Sequence, residues 1–298
     1  MKKVVTKADQ LDFTLAEIEP MPAPGKVLVV NPSEFDVEYV INPHMSGHIG
    51  DIDKDAAFKE WVALKEGYER LGLYVEVIEG EKGYPDMVFC ANQSLPNITS
   101  DGKKQVVMSV MHAPQRKGEV SHIQKVYEKS SYEIVHLDES KFTDFEGMGD
   151  AIWHFKKRLI WGGYGYRSSL DVYSHVSETF NTPVIALELI DDRFYHLDTC
   201  FCVLNEETVM IYSKAFTEEG RKLIHSVFPN VIDTNDYEAA ELFACNATCP
   251  DGKNVFIQEG CLEANKAMEE AGFTVHEFST NEYLKSGGSV FCMKMMLW

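Results

Sequence analysis

Cys292 stands near the end of the chain, directly behind Gly287-Gly288-Ser289-Val290-Phe291. Paired glycines before a short apolar run read as a loop that comes close to something and then enters a strand. A free cysteine in such a place is most often core filler. Three other polar clusters shift the reading towards chemistry: Pro85-Asp86-Met87-Val88-Phe89-Cys90-Ala91-Asn92, Phe145-Glu146-Gly147-Met148-Gly149-Asp150 and Tyr195-His196-Leu197-Asp198. The combined inventory is a thiol, an imidazole, two or three carboxylates and an amide. A thiolate nucleophile needs a partner for proton transfer, and His196 is the candidate. The carboxylates suit a flat cation such as a guanidinium, which makes paired charge-assisted hydrogen bonds. A buried guanidinium would also favour ionisation of a nearby thiol.

Each of these residues also has a plain structural role open to it. His196 could be a core histidine bonded to backbone. Glu146 and Asp150 could cap turns around Gly147 and Gly149, and Asn92 and Asn42 could be turn residues. Asp86, after a proline, could be structural, and Arg116 and Arg167 could be solvated surface charges. What favours a site is where the clusters fall in the chain.

The second half of the chain repeats one plan. A polar residue is followed by a strand, a tight turn, a second strand, a helix and a third strand. Such units start at Asp150, Asp198 and Asn246, which are evenly spaced, and a similar unit starts near Asn92 with Ser100-Asp101-Gly102-Lys103 as its turn. The N-terminal part supplies another. There, Lys26-Val27-Leu28-Val29-Val30 reads as a buried strand. Residues 54–72 carry Ala57, Trp61, Leu64 and Tyr68 on one helical face, Gly72 stops the helix, and 73–78 is the next strand. A period in this range signals a repeat architecture in which each unit buries its sheet only against its neighbours. The polar clusters open these units or end the strand before them, so units set round an axis would point them at one small space. Residues 1–25, ending in Pro20-Met21-Pro22-Ala23-Pro24-Gly25, read as an N-terminal arm, and 26–298 as one α/β domain.

Bulk properties bound the partners. A net charge of −19 repels nucleic acid and acidic membrane surfaces and attracts a small cation. No run is long and apolar enough for a membrane span, and the N-terminus lacks the apolar stretch of a signal peptide. Seven cysteines, an odd number set mostly in apolar runs, argue for reduced thiols and a cytoplasmic setting rather than a disulfide framework. The spacings within Cys200-Phe201-Cys202 and Cys245-Asn246-Ala247-Thr248-Cys249 are not those of zinc ligands. A homo-oligomer is compatible with all of this.

The segments FEGMGDAIW, YHLDTCFCVL and GGSVFCM, in this order, resemble the signatures of the guanidino-modifying enzyme superfamily. It contains arginine deiminases, dimethylarginine dimethylaminohydrolases, amidinotransferases and arginine dihydrolases. The resemblance spans roughly residues 26–298 and implies the five-bladed α/β-propeller called pentein. It also implies that Cys292 is the nucleophile, His196 the general acid and base, and Glu146 the acid that holds the guanidinium. Asp150 matches the acid closing that motif. Arg167, after Gly162-Gly163-Tyr164-Gly165-Tyr166, matches an arginine that binds the substrate carboxylate, and Arg116 matches a second. No metal or organic cofactor is implied.

Asn92 departs from deiminases and dimethylarginine hydrolases, which usually carry aspartate there. Arginine dihydrolases are similar to this chain instead, with asparagine at this place and another in an early Asn-Pro segment, here Asn42-Pro43. An aspartate only accepts hydrogen bonds and repels the oxygen of a ureido intermediate, whereas an asparagine amide donates to it. The resemblance thus points to a cysteine hydrolase of arginine that proceeds through a covalent thiouronium, in dihydrolase form giving ornithine, ammonia and carbon dioxide. A deiminase or dimethylargininase stopping at citrulline, an amidinotransferase, and a non-catalytic propeller that binds a partner remain as alternatives. Phe291, just before the nucleophile, is a second departure, since relatives often have a polar or basic residue there.

Overall fold

The computed structural model describes residues 4–298. The amphipathic stretch at 54–72 forms the helix Lys54–Arg70, which buries Ala57, Trp61, Leu64, Gly67 and Tyr68. Asp53 caps it by accepting from the Asp55 and Ala56 amides, and Gly72 ends it at φ +80°. The helix connects two parallel strands, Lys26–Val30 and Tyr74–Ile78, as a crossover between parallel neighbours must.

This arrangement recurs. Among the described residues there are five separate sheets. Ser94–Ile98 runs antiparallel to Lys104–Met108, which is parallel to Glu133–Val135, with the helix Glu119–Lys129 between them. Ala151–Trp153, Ile160–Tyr164 and Val184–Glu188 repeat the pattern around Val172–Phe180. Phe201–Val203, Thr208–Ile211 and Asn230–Asp233 do so around Glu218–Val227.

The unit starting at Asn246 departs from expectation. Its second and third strands, Asn254–Gln258 and Thr274–Phe278, are parallel around Leu262–Glu270, but its first strand shrinks to one bridge between Thr248 and Phe256. Pro250, two residues on, has no amide hydrogen to extend the ladder. The N-terminal sheet takes its antiparallel strand from the other end of the chain, where Met295–Leu297 pairs with Lys26–Val30. Met293 and Met295 are fully buried there.

Hydrogen bonds also tie the heads of the units together. The Ala91 amide donates to the Cys292 carbonyl, the Met148 amide to the Ala91 carbonyl, and the Phe291 amide to the Asn246 carbonyl. The Leu197 amide donates to Asp150 Oδ1, and Asn246 Nδ2 to the Asp198 carbonyl. The segment before Lys26 packs on the body. Val4–Val5 adds a parallel strand beside Val184 and Ile185, and Phe13, Ile18 and Met21 are buried. No helix among the described residues is long and apolar enough to cross a membrane.

Candidate active site

The loop before Cys292 shows why it carries glycines. Gly287 has φ +81°, and a side chain on it would meet Asn42 Oδ1 at 2.7 Å. A Cβ on Gly288 would lie 2.4 Å from the Phe89 ring. The nucleophile candidate then sits within the turn that leads into the closing strand. Its amide and that of Ser289 donate to Asn246 Oδ1 at 3.2 and 3.0 Å, while Asn246 Nδ2 donates to Cys292 Sγ at 3.1 Å. The thiol donates to Asp198 Oδ2 at 3.3 Å. Burial first, and then the neighbouring Asp198 charge, push the Cys292 thiol well above its ordinary range. Both effects favour the protonated thiol in the free site.

Cys292 and His196 line the same cleft, together with Asn42, Asp86, Asn92, Arg116 and Arg167. His196 leaves the strand Val184–Glu188 by way of a loop and sits at the head of the turn Leu197–Thr199. Its Nε2 is 2.6 Å from Glu146 Oε2. Glu146 is wholly buried behind it rather than on the cleft wall, and its other oxygen accepts from the His112 amide at 3.0 Å. Arg167 Nη1 approaches Glu146 Oε2 at 3.4 Å, its Nη2 donates to the Ile41 carbonyl at 2.6 Å, and the guanidinium lies over the Tyr195 ring. Burial pushes the Glu146 carboxyl up. The His196 hydrogen bond and the charges of His196, Arg167 and Arg116 outweigh it and hold the group at about 2. Glu146 is thus a fixed anion that orients the imidazole.

The opposite wall is built around Arg116. Its Nε and Nη2 grip Glu119, Nη2 also donates to the Asp86 and Phe89 carbonyls, and Nη1 donates to Asn92 Oδ1 at 3.0 Å. Because the Asn92 oxygen faces a guanidinium, its Nδ2 is turned the other way, where it has no hydrogen-bond partner. That nitrogen packs on the bare α-carbon of Gly149, where an added Cβ would come within 2.3 Å. Arg116 thus holds the amide in place through protein contacts and also lines the cleft. Asp86 Oδ1 accepts from Ser286 Oγ at 3.0 Å, and its Oδ2 is unpartnered, with the Tyr39 hydroxyl nearby but out of hydrogen-bond geometry. Burial raises the Asp86 carboxyl, partly offset by Arg116.

The Asn42 amide is consumed locally. Its oxygen accepts from the His44 and Met45 amides, and its nitrogen donates to the Ser286 carbonyl, tying the early loop to the loop before Cys292. Asp150 also lies behind the wall, where it accepts from the Leu197 amide, and burial lifts its carboxyl to about 6.

Sequence reasoning assigned no role to Asp198 or Asn246, the two residues that touch the Cys292 sulfur. The signal was present in the repeat. Asn246 stands 48 residues after Asp198 and 46 before Cys292, so all three occupy equivalent heads of successive units. Burial lifts the Asp198 carboxyl to about 7 against the Cys292 hydrogen bond and the Lys294 charge. Among the described residues no group of three or more histidine, cysteine or acidic side chains is arranged to hold a metal.

Comparison with known proteins gives a consistent picture. Residues 36–298 match the family described as N,N dimethylarginine dimethylhydrolase, eukaryotic. The chain is 34% identical over 273 residues to the bifunctional arginine dihydrolase/ornithine cyclodeaminase ArgZ of Synechocystis sp., covering 91% of this chain and 37% of that protein. It therefore spans little more than a third of the length of that relative. It is 32% identical to the N(G),N(G)-dimethylarginine dimethylaminohydrolase of Mycobacterium tuberculosis, covering 91% of this chain and 85% of the relative. The crystal structure of the ArgZ N-terminal domain bound to substrate, described as an arginine dihydrolase from cyanobacteria, superposes with a TM-score of 0.84. The two are 33% identical, and the match covers 91% of this chain and 97% of that one. A dimethylarginine dimethylaminohydrolase adduct, 17% identical with a TM-score of 0.70, shares the fold over 91% of this chain and 99% of its own.

Proposed function

The chain belongs to the N,N dimethylarginine dimethylhydrolase family, and from that premise we propose that it is a cysteine hydrolase of the arginine guanidinium, of the dihydrolase type. The observation that supports this most is the cleft shared by Cys292, His196, Asp86 and Asn92, in which Asp86 Oδ2 and Asn92 Nδ2 are both buried without partners. An unpartnered acceptor and an unpartnered donor on residues of one cleft suit a substrate that starts as a guanidinium and becomes a ureido group. The relatives named as arginine dihydrolases support the same choice. We read residues 26–298 as one catalytic unit whose five sheets close into a propeller round the cleft, with 1–25 as an arm packed against it.

The bound guanidinium supplies the positive charge that a buried thiolate lacks, and Asp198, hydrogen-bonded to the thiol, is placed to take its proton. The Cys292 sulfur forms a bond to the guanidinium carbon, the bond from that carbon to a terminal nitrogen breaks, and His196 donates the proton that lets it leave as ammonia. His196 then takes a proton from water attacking the thiouronium carbon, and the sulfur departs, leaving a ureido group. In the second round the sulfur attacks the ureido carbon and a second ammonia leaves. Water then releases a carbamate that loses carbon dioxide to give ornithine. Asn92 Nδ2 donates to the ureido oxygen and holds this intermediate for the second attack.

The test offers arginine, methylated arginines and citrulline separately and identifies products by mass. Ornithine from arginine without accumulating citrulline supports the proposal. Stoichiometric citrulline ends the dihydrolase reading, and product only in the presence of a second amine points to amidino transfer. Cys292→Ala is expected to abolish turnover, and full activity in that variant would remove the nucleophile from the mechanism.

A further inference from the structure

Phe291, the second departure noted in the sequence, faces away from the cleft. It lines a separate cavity of about 90 Å³, walled by Met148, Trp153, Phe155, Met296, Trp298 and the Met21-Pro22-Ala23-Pro24 segment. Lys294, two residues after Cys292, also lines this cavity. Its residue exposure is 1%, and its ammonium lies over the Phe291 ring, 3.2 Å from the centroid. Among the described residues its Nζ makes no hydrogen bond and no ion pair. A buried ammonium is costly without a partner, and burial draws Lys294 down to about 8. The charged group closest to answering it is Asp198, which lies on the cleft side and is engaged with Cys292.

The wall composition points the same way. The chain carries 47 acidic residues against 28 basic ones, yet no Asp or Glu side chain lines this cavity, while Lys294 lies in it and Lys156 stands at its rim. The rest of the lining is mainly apolar and aromatic. One water needs roughly 10–15 Å³ measured in this way, so the space takes a ligand of about six to nine heavy atoms. Its chemistry is set by the walls: one anionic end for the ammonium and an apolar body for the rings.

We propose that this cavity is a binding site for a small carboxylate with an apolar body, held by Lys294 and separate from the cleft. The proposal does not depend on the reaction assigned to the cleft. The experiment is isothermal titration calorimetry with benzoate as probe and neutral benzamide as its control, on the wild type, Cys292→Ala, Lys294→Met and Val203→Phe. Val203 is a half-buried residue of the cavity wall, and a larger ring there takes up cavity volume while leaving Lys294 itself unchanged. The wild type and Cys292→Ala are expected to bind one benzoate per chain, at least tenfold tighter than benzamide. Lys294→Met should lose that preference, and Val203→Phe should lose binding of both; if Lys294→Met does not fold, Val203→Phe decides the matter. No saturable binding to the wild type, undiminished binding by Val203→Phe, an unchanged preference in folded Lys294→Met, or displacement of benzoate from Cys292→Ala by arginine each overturns the proposal.

Discussion

Replacing Asn92, which lines the cleft, by aspartate changes one atom. The oxygen held by Arg116 Nη1 at 3.0 Å keeps its donor, so the side chain stays where it is. The unpartnered Nδ2 becomes a carboxylate oxygen. For arginine that is harmless, since a guanidinium offers donors to either carboxylate. For the ureido intermediate it replaces a donor with an acceptor. The lost hydrogen bond is worth about 0.5–1.5 kcal/mol net, and an oxygen left facing an oxygen costs about 1–3 kcal/mol more. The sum is about 1.5–4.5 kcal/mol against holding the intermediate, roughly a 10- to 1500-fold change in partition at ~1.4 kcal/mol per decade. The assay is the ornithine-to-citrulline ratio formed from arginine, read by mass. Asn92→Asp should still consume arginine but release mainly citrulline, with a melting temperature close to that of the wild type. An unchanged product ratio would refute the argument that the amide nitrogen holds the intermediate.

Three further outcomes follow from the geometry. Asn246→Ala removes the acceptor of two buried amides and the donor to Cys292 Sγ. It should lower stability by about 2–5 kcal/mol in urea titration and slow turnover, and a wild-type unfolding midpoint would count against it. Gly288→Ala drives a methyl into the Phe89 ring, so activity should fall sharply and be partly restored by Phe89→Leu, a rescue that a purely conformational defect would not show. The folded Glu146 carboxyl sits near 2 against an ordinary 4.5, so its stabilising effect is complete above about pH 4.5 and fades as pH drops towards 2. On the order of 3 kcal/mol is at stake. The stability gap between wild type and Glu146→Gln should therefore narrow between pH 6 and pH 3, and a constant gap would sink the assignment.

Much of this architecture was legible residue by residue. Lys26–Val30 and Lys54–Arg70 lie where their apolar patterns placed them, because strand and helix periodicity is local. The first strand of the Asn246 unit was over-read, since one proline outweighs an apolar run. The pairing of Met295–Leu297 with Lys26–Val30 joins opposite ends of the chain, and no local pattern specifies such a partner. In the site, residue types and repeat positions picked out Cys292, His196 and Asn92. The family resemblance implied that Glu146 holds the guanidinium and that Arg116 binds the substrate carboxylate; in the folded chain Glu146 pairs with His196 and Arg116 with Asn92.

The sequence by itself determined the alternation of strands and helices, the repeat and the set of reactive groups, since each depends on neighbours a few positions away or on a regular period. Tertiary structure decided which atoms of each group find partners and which stay free. The direction of the Asn92 amide is set by a guanidinium 24 residues on, and the thiol's hydrogen-bond partners lie 46 and 94 residues upstream. Hydrogen bonds act over about 3 Å of space regardless of chain separation, so those choices exist only once the chain has folded.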